Sequence, residues 1–157
     1  MVVIGFGSNL GNRHSAILAA ADKVATLLAS FRLSRIIETA PVGDGLENDP
    51  PYLNAVGVGE STLSPRELFE ALRSIEAAAG RTRSTLGAPR TLDLDLILFG
   101  DARIDEPGLV VPHPRFRERL FVLEPLAEVA PGWIDPGTGQ TISALLQQAR
   151  RAAPGSS

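Results

Sequence analysis

Residues 89–99, Pro-Arg-Thr-Leu-Asp-Leu-Asp-Leu-Ile-Leu-Phe, alternate almost strictly between two sets of side chains. Leu92, Leu94, Leu96 and Leu98 take one parity, and Asp93, Asp95, Ile97 and Phe99 take the other. A period of two is that of a strand. One face therefore reads as a continuous leucine wall, and the other as acid at its start and apolar at its end. Asp93 and Asp95 then project the same way, about 6.5 Å apart along the chain. Carboxylates that close repel unless something positive lies between them. A divalent metal pair carrying a polyphosphate would supply that charge, because hard cations take carboxylate oxygens. On spacing alone, a solvated acidic face paired with arginines is the alternative. Arg81, Arg83 and Arg90 precede the strand, and guanidinium groups beside an acid pair make sense where phosphates bridge them.

The rest of the chain limits what such a strand can serve. A length of 157 residues with 44% apolar side chains suits one globular domain, 1–157, with a real core and a frayed end at 152–157. The net charge of -3 argues against bulk nucleic-acid binding, though a small nucleotide needs only a local basic patch. Without cysteine there is no disulfide and no thiolate metal site. No apolar run is long enough to span a membrane, and residues 1–7 lack the basic start of a signal peptide, so a cytoplasmic protein is expected.

Read in order, Val2 to Phe6 is a short apolar strand, and residues 5–12, Gly-Phe-Gly-Ser-Asn-Leu-Gly-Asn, form a glycine-rich turn feeding a helix. It is neither a Walker A loop nor a dinucleotide fingerprint. Asn12 is a plausible cap for a helix over 14–29 with Ile17, Ala21, Val24 and Leu28 on one face. Residues 31–39 suit a strand, 40–51 a long loop, and Tyr52 to Gly59 a strand whose buried face is ambiguous. Ser64-Pro65-Arg66-Glu67 is a capping box with proline at the first helical position. Leu68, Leu72, Ile75 and Ala79 then form a buried stripe, closed by Gly80. Glu76 reads most simply as a surface acid. After Phe99, Gly100-Asp101 predicts a hairpin turn with Arg103-Ile104 returning, and 107–114 a proline-flanked connector that brackets His113. Arg115, Arg117 and Arg119 share a face only if extended. Helices are predicted over 120–130 and 141–151, separated by turns around Trp133. The order β-α-β-β-α-β gives an α+β, ferredoxin-like fold: an antiparallel sheet with helices on one face, plus C-terminal additions.

Four segments carry a resemblance. They are Gly5-Phe6-Gly7-Ser8-Asn9-Leu10-Gly11; Glu38-Thr39-Ala40-Pro41-Val42-Gly43 leading to Tyr52-Leu53-Asn54-Ala55; Pro89-Arg90-Thr91-Leu92-Asp93-Leu94-Asp95-Leu96; and Val111-Pro112-His113-Pro114 leading to Arg119-Leu120-Phe121. In this order they resemble the 6-hydroxymethyl-7,8-dihydropterin pyrophosphokinase family of the folate pathway, over nearly the whole chain. The resemblance implies a magnesium-dependent enzyme that moves the terminal two phosphoryl groups of ATP to the pterin hydroxymethyl oxygen and releases AMP. It implies that Asp93 and Asp95 bind two Mg2+ ions, and that Arg81 and Arg90 act on the phosphates. Glu76, Arg83, His113 and Arg119 match positions on the nucleotide or active-centre side. Tyr52 and Phe121 match the aromatics that sandwich the pterin. Asn54 matches its amide-like edge, and Thr39, Ala40 and Val42 match a stretch whose backbone completes the rim. Asp95 is the candidate for contact with the attacking hydroxyl. Loops 40–51 and 81–90 are expected to close over the substrates and exclude water. The chain departs from many relatives in having Gly87-Ala88 where they carry a tryptophan and a glycine. Pro114 and Gly108 stand where some have a tyrosine and an arginine. The implied partners are ATP and the pterin alone, with no nucleic acid and no membrane, and the implied state is a monomer.

Two other readings stay open on the sequence. A non-catalytic ferredoxin-like protein that binds a nucleotide or pterin would leave Asp93 and Asp95 as surface acids. A nucleotidyl transferase using the same acids would release pyrophosphate rather than AMP.

Overall fold

The computed structural model describes residues 1–9, 13–39, 52–81 and 92–152, with backbone alone at 80 and 81. Strand β1 (Val2–Ser8) is buried along its whole length because it is paired on both edges. Strand β4 (Tyr52–Ser61) runs antiparallel along one edge and β5 (Leu92–Phe99) along the other. On the far side of β4 lie β2 (Leu28–Leu33) and the short β3 (Ile37–Thr39), giving the order β2-β4-β1-β5 with β3 also on β4. Helix α1 (Arg13–Ala25) joins β1 to β2, and α2 (Pro65–Arg81) joins β4 to β5. This is the ferredoxin-like β-α-β-β-α-β core expected from the sequence.

The sheet has a core on each face. On the first, Ile17 and Val24 of α1 and Leu68 and Leu72 of α2 pack against Ile4, Phe6, Leu94 and Leu96. On the second, Val3, Val56, Val58, Ile97 and Leu98 meet α3 (Leu120–Val129) and α4 (Ile142–Ala152) through Leu123, Leu126, Ile142 and Leu145. The C-terminal additions are thus a second helical layer. They explain why β4 has no legible alternation: covered on both faces, it has no solvent side to mark with polar residues. The capping box forms as predicted, with Ser64 N–H donating to Glu67 (2.9 Å) and Glu67 N–H to the Ser64 hydroxyl (3.2 Å). Among the described residues no buried side-chain nitrogen or oxygen lacks a partner, and no helix is long and apolar enough to cross a membrane.

Several local expectations need correction. The leucine wall breaks at Leu98. A register shift in the β1–β5 ladder pairs Val3 with Leu98 and Ile4 with Leu96, and the extra residue turns Leu98 onto the second face beside Ile97. The first helix stops at Ala25 rather than 29. Leu28 continues its apolar stripe by spacing, yet it opens β2 and is buried from there. Gly5 and Gly7 stand inside β1 rather than in a turn. The stretch 31–39 is split between β2 and β3 at Ser34, whose N–H donates to the Val56 carbonyl (2.8 Å) while its hydroxyl accepts from Val56 N–H (2.9 Å). The segment after Phe99 does not return along β5. Strand β6 (Ile104–Glu106) pairs with β7 (Leu109–Val111), which lies within the predicted connector, as a separate two-stranded sheet. Asn12, the 40–51 loop and 153–157 lie outside the described residues.

Where β2 leaves its regular register between Ala29 and Arg32, Ser30 takes a left-handed φ of 55° and the strand bends toward Gly59. A Cβ at Gly59 would lie 2.9 Å from Leu28 Cβ and 3.0 Å from the Ala29 carbonyl oxygen. Backbone cannot swing aside as a side-chain tip can. Gly59→Ala is therefore expected to destabilise the fold by about 1–3 kcal/mol, read as a lower denaturation midpoint at unchanged slope. A midpoint equal to the parent's would show that the bulge yields freely.

Candidate active site

The glycines of β1 set the floor of the site. Gly7 pairs with Asn54 on β4 and with Asp93 on β5, and Gly5 pairs with Val56 and Asp95. Residues directly opposite across a ladder share a face. Asn54 and Asp93 therefore lie in one row, roughly 10 Å apart across two strand spacings, with only backbone between them. The gap is shaped to glycine: a Cβ at Gly7 would meet Asn54 Oδ1 at 3.3 Å, and one at Gly5 would meet Ile97 Cδ1 at 3.2 Å. A flat group can rest on such a floor, with amide chemistry at one end and carboxylates at the other.

At the amide end, Asn54 is buried and its Nδ2 donates to the Thr39 hydroxyl at 2.7 Å. Thr39 in turn faces Tyr52 across the β3–β4 ladder. That bond fixes the orientation of the Asn54 amide and leaves its Oδ1 above Gly7. Helix α3 packs against β4 and β3. It carries Phe121 in its first turn, with the Arg119 guanidinium 5.5 Å from the Phe121 ring centre.

At the acid end, β5 is the edge of the sheet, and Glu76 of α2 closes it. Glu76 Oε2 accepts from Leu94 N–H (2.7 Å) and Oε1 from Arg73 Nη1 (2.7 Å). Glu76 is thus no surface acid but a tie between α2 and the backbone that separates Asp93 from Asp95. Burial pushes its carboxyl above the usual range. The Leu94 N–H and Arg73 oppose that, and the Asp93 and Asp95 charges add to it. Beside the edge lies a cavity of about 240 Å³ lined by Asp95, His113, Phe69, Arg73 and Val110, among others. Arg73 lies over the Phe69 ring at 4.8 Å, so the cavity offers an apolar wall, a cation and a carboxylate together.

His113 enters from the chain after β7. Its N–H donates to the Ile97 carbonyl (2.8 Å), and its Nδ1 accepts from Arg115 N–H (3.2 Å). In the neutral ring the proton therefore sits on Nε2. Burial holds the imidazole below the usual histidine range; Asp95 opposes that, while Arg119 and Arg115 reinforce it. The three arginines do not share a face, because 116–118 is a 3-10 turn. Arg115 pairs with Glu118, Arg117 with Asp135, and Arg119 lies over Phe121.

The structure thus gathers Asp93, Asp95, Glu76 and His113 at one end, and Thr39, Tyr52 and Asn54 at the other. Ala40, Val42, Arg83 and Arg90, and the side chain of Arg81, lie outside the described residues, as do Gly87 and Ala88. Sequence reasoning missed the floor glycines and the Phe69–Arg73 wall. The first were legible as glycine at alternate strand positions, the second as a three- and four-residue helical spacing from Glu76. Among the described residues no group of three or more histidine, cysteine or acidic side chains is placed to hold a metal ion.

A family model for 7,8-dihydro-6-hydroxymethylpterin-pyrophosphokinase matches residues 3–131. The chain belongs to that family. A pyrophosphokinase of this name from Synechocystis sp. is 39% identical over 146 residues, 93% of this chain and 74% of that one. Another, from Bacillus subtilis, is 43% identical over 131 residues, 80% of this chain and 75% of that one. Among solved structures, the wild-type HPPK-DHPS of Plasmodium falciparum superposes with a TM-score of 0.71 at 13% identity, over 96% of this chain and 44% of that one. That likeness speaks for the fold. The described residues of the segments singled out in the sequence of this pyrophosphokinase family member fall on β1, β3, β4 and β5 of the main sheet, on β7 and the turn after it, and at the start of α3.

The electrostatics of Glu76 and His113 give measurable consequences. A carboxyl whose pKa is raised by folding costs stability when ionised. The cost is full above the folded pKa and fades as pH falls toward the unfolded value. Glu76→Gln keeps an acceptor for Leu94 N–H, so its stability relative to the parent is expected to rise with pH through the carboxylate range, while Glu76→Ala, which orphans that N–H, loses about 1–3 kcal/mol at neutral pH. Unfolding curves at several pH values check both, and a flat difference for Glu76→Gln would contradict the burial. For His113, imidazole NMR is expected to show the Nε2–H tautomer at neutral pH, titrating below the usual range and lower still in Asp95→Asn. A rise in that variant would remove Asp95 from the histidine's surroundings.

Proposed function

We propose that the chain transfers the terminal pyrophosphoryl group of ATP to the hydroxymethyl oxygen of 6-hydroxymethyl-7,8-dihydropterin, giving AMP and the pterin pyrophosphate, in a magnesium-dependent reaction of the EC 2.7.6.3 type. The observation that carries this is the row from Asn54 across Gly7 to Asp93, with Asp95 next to it. It sets an amide-recognition end and an acid end on one flat floor. The pterin stands over that floor between Tyr52 and Phe121, which take its two faces, with its amide-like edge toward Asn54, Thr39 and the backbone at Ala40 and Val42. Its hydroxymethyl arm then reaches toward the carboxylates. The nucleotide lies along the outer edge of β5, in the cavity of Asp95, His113 and Arg73.

Two carboxylates on one face of a strand fit Mg2+, which binds through one or two carboxylates and takes its other oxygens from phosphate and water. Asp93 and Asp95 would hold the two ions, which when bound supply positive charge against the triphosphate. The protein's own part is to fix the partners in line. Arg81 and Arg90 neutralise charge on the moving phosphates, and Arg83, Arg119 and the Nε2–H of His113 offer donors to the remaining oxygens. Glu76 acts here by holding Leu94 and hence the acid pair, rather than by touching the nucleotide. Asp95, which borders both the floor and the cavity beside β5, takes the contact with the attacking hydroxyl. Loops 40–51 and 81–90 close the site against water. Residues 1–157 work as one catalytic domain and as a monomer.

A product assay with ATP, magnesium and the pterin tests the reading. AMP and pterin pyrophosphate are expected in equal amounts, with Asp95→Ala lowering the rate by roughly 10³-fold or more. Pyrophosphate in place of AMP would mean nucleotidyl transfer, and tight binding without turnover would mean a binding protein.

A further inference from the structure

The segment from His113 to Phe121 carries much of the site, yet it is only a stretch of turns after β7 and the first residues of α3. Backbone bonds run along it. His113 N–H donates to Ile97, Phe116 N–H to His113 (3.3 Å), Arg119 N–H to Phe116 (3.2 Å) and Leu123 N–H to Arg119 (3.0 Å). Two of its side chains anchor it: Phe116 is fully buried in the second core, and Arg117 makes an ion pair with Asp135. The Arg117 guanidinium lies 4.8 Å from the Phe116 ring centre. Its Nε donates to Asp135 Oδ2, and its Nη2 to Asp135 Oδ1 at 2.9 Å.

Asp135 is fully buried, and every oxygen it has is used. Gly137 N–H donates to Oδ1 (3.0 Å), the Thr138 hydroxyl to Oδ2 (2.8 Å) and Gly139 N–H to its carbonyl (2.8 Å), while its own N–H donates to Gln140 (2.8 Å). A Cβ at Gly137 would run into Arg117 Nη2, so a side chain there would push the guanidinium out of its fork on Asp135. Burial pushes the Asp135 carboxyl up, but the guanidinium and the other donors outweigh it and leave it below the usual carboxylate range. A buried ion pair of this kind contributes little net stability compared with apolar packing, whereas losing one partner is costly. Its value lies in geometry, because a bidentate fork fixes both distance and orientation.

We infer that Asp135, beyond the stretch 3–131 that the family model matches, is a positioning residue for the transfer reaction, acting through Arg117 to set His113, Arg119 and Phe121 against the β5 acids. The inference rests on the transfer reading above. The clamp joins the C-terminal layer to the site: Asp135 is held by the 134–141 turn that leads into α4, and Arg117 stands between His113 and Arg119 in the chain.

The test compares Asp135→Asn and Arg117→Lys with Leu146→Ala, which weakens the same C-terminal layer without touching the clamp. Each is assayed well below its Tm. Binding of magnesium with a non-hydrolysable ATP analogue, and of the pterin, is measured by calorimetry alongside turnover. Asp135→Asn and Arg117→Lys are expected to lower kcat/KM by about tenfold or more, with weaker nucleotide binding, while Leu146→Ala keeps parental constants despite its lower Tm. Parental kcat, KM and binding in both clamp variants would overturn the inference and leave a purely structural pair. Equal kinetic losses in Leu146→Ala would overturn it too. Should Asp135→Asn not fold, Arg117→Lys decides by the same criteria. The binding arm needs no turnover: a parent that forms no AMP, with clamp variants that still bind nucleotide less well, would end the transfer reading and keep the positioning role.

Discussion

Everything at the site depends on β1 being paired on both edges. Glycine at alternate positions weakens a strand, since each one costs backbone entropy and leaves no side chain to pack. Gly5 and Gly7 are tolerated because ladders to β4 and β5 hold the backbone from both sides, and because Val3, Ile4 and Phe6 bury their side chains in the two cores. The strand thus combines a stable position with a bare surface. Asn54, Asp93 and Asp95 are brought together by register, not by sequence proximity. A slip of one residue in either ladder would turn the amide or the acids to the opposite face.

The second helical layer makes that register hard to change. Along the second face the row of side chains changes from polar to apolar: Asp93 is exposed, Asp95 half-buried and Ile97 fully buried. The acids therefore sit where the layer of α3 and α4 gives out, with their charge in solvent and their strand anchored in a core. The bulge that carries Leu98 onto this face adds a second apolar anchor next to Ile97. A sheet covered on one side alone would fix the leucines and leave the acid end free to twist.

Much of this was legible in the sequence, for identifiable reasons. The β5 alternation, the Ser64–Glu67 capping box and the stripe of Leu68 and Leu72 are local signals, and local geometry decides them. The acid pair could be read because both its residues lie on one strand. What was not legible depends on partners distant in sequence. Leu98 has the parity of a first-face residue until a bulge paired against Val3 turns it over. Leu28 continues a helical stripe until β4 claims it. Glu76 is a surface acid by helical position, and only the edge of β5 makes it an acceptor for Leu94 N–H. Asp135 and Arg117 gave no signal at all, since an aspartate in a turn and an arginine in a basic run are common where nothing joins them.

The acidic end concentrates like charge. Glu76 is half-buried within the field of Asp93 and Asp95, and those charges add to the burial that raises its carboxyl pKa. Arg73 is the cation bonded to it, and it is half-exposed, so solvent screens much of what it offers. Any positive charge that settles near the acids would relieve the repulsion and lower the Glu76 pKa. A cation bound there would, by linkage, favour the ionised form of Glu76. The tie from Glu76 to Leu94 links the same charge to the backbone between the acids.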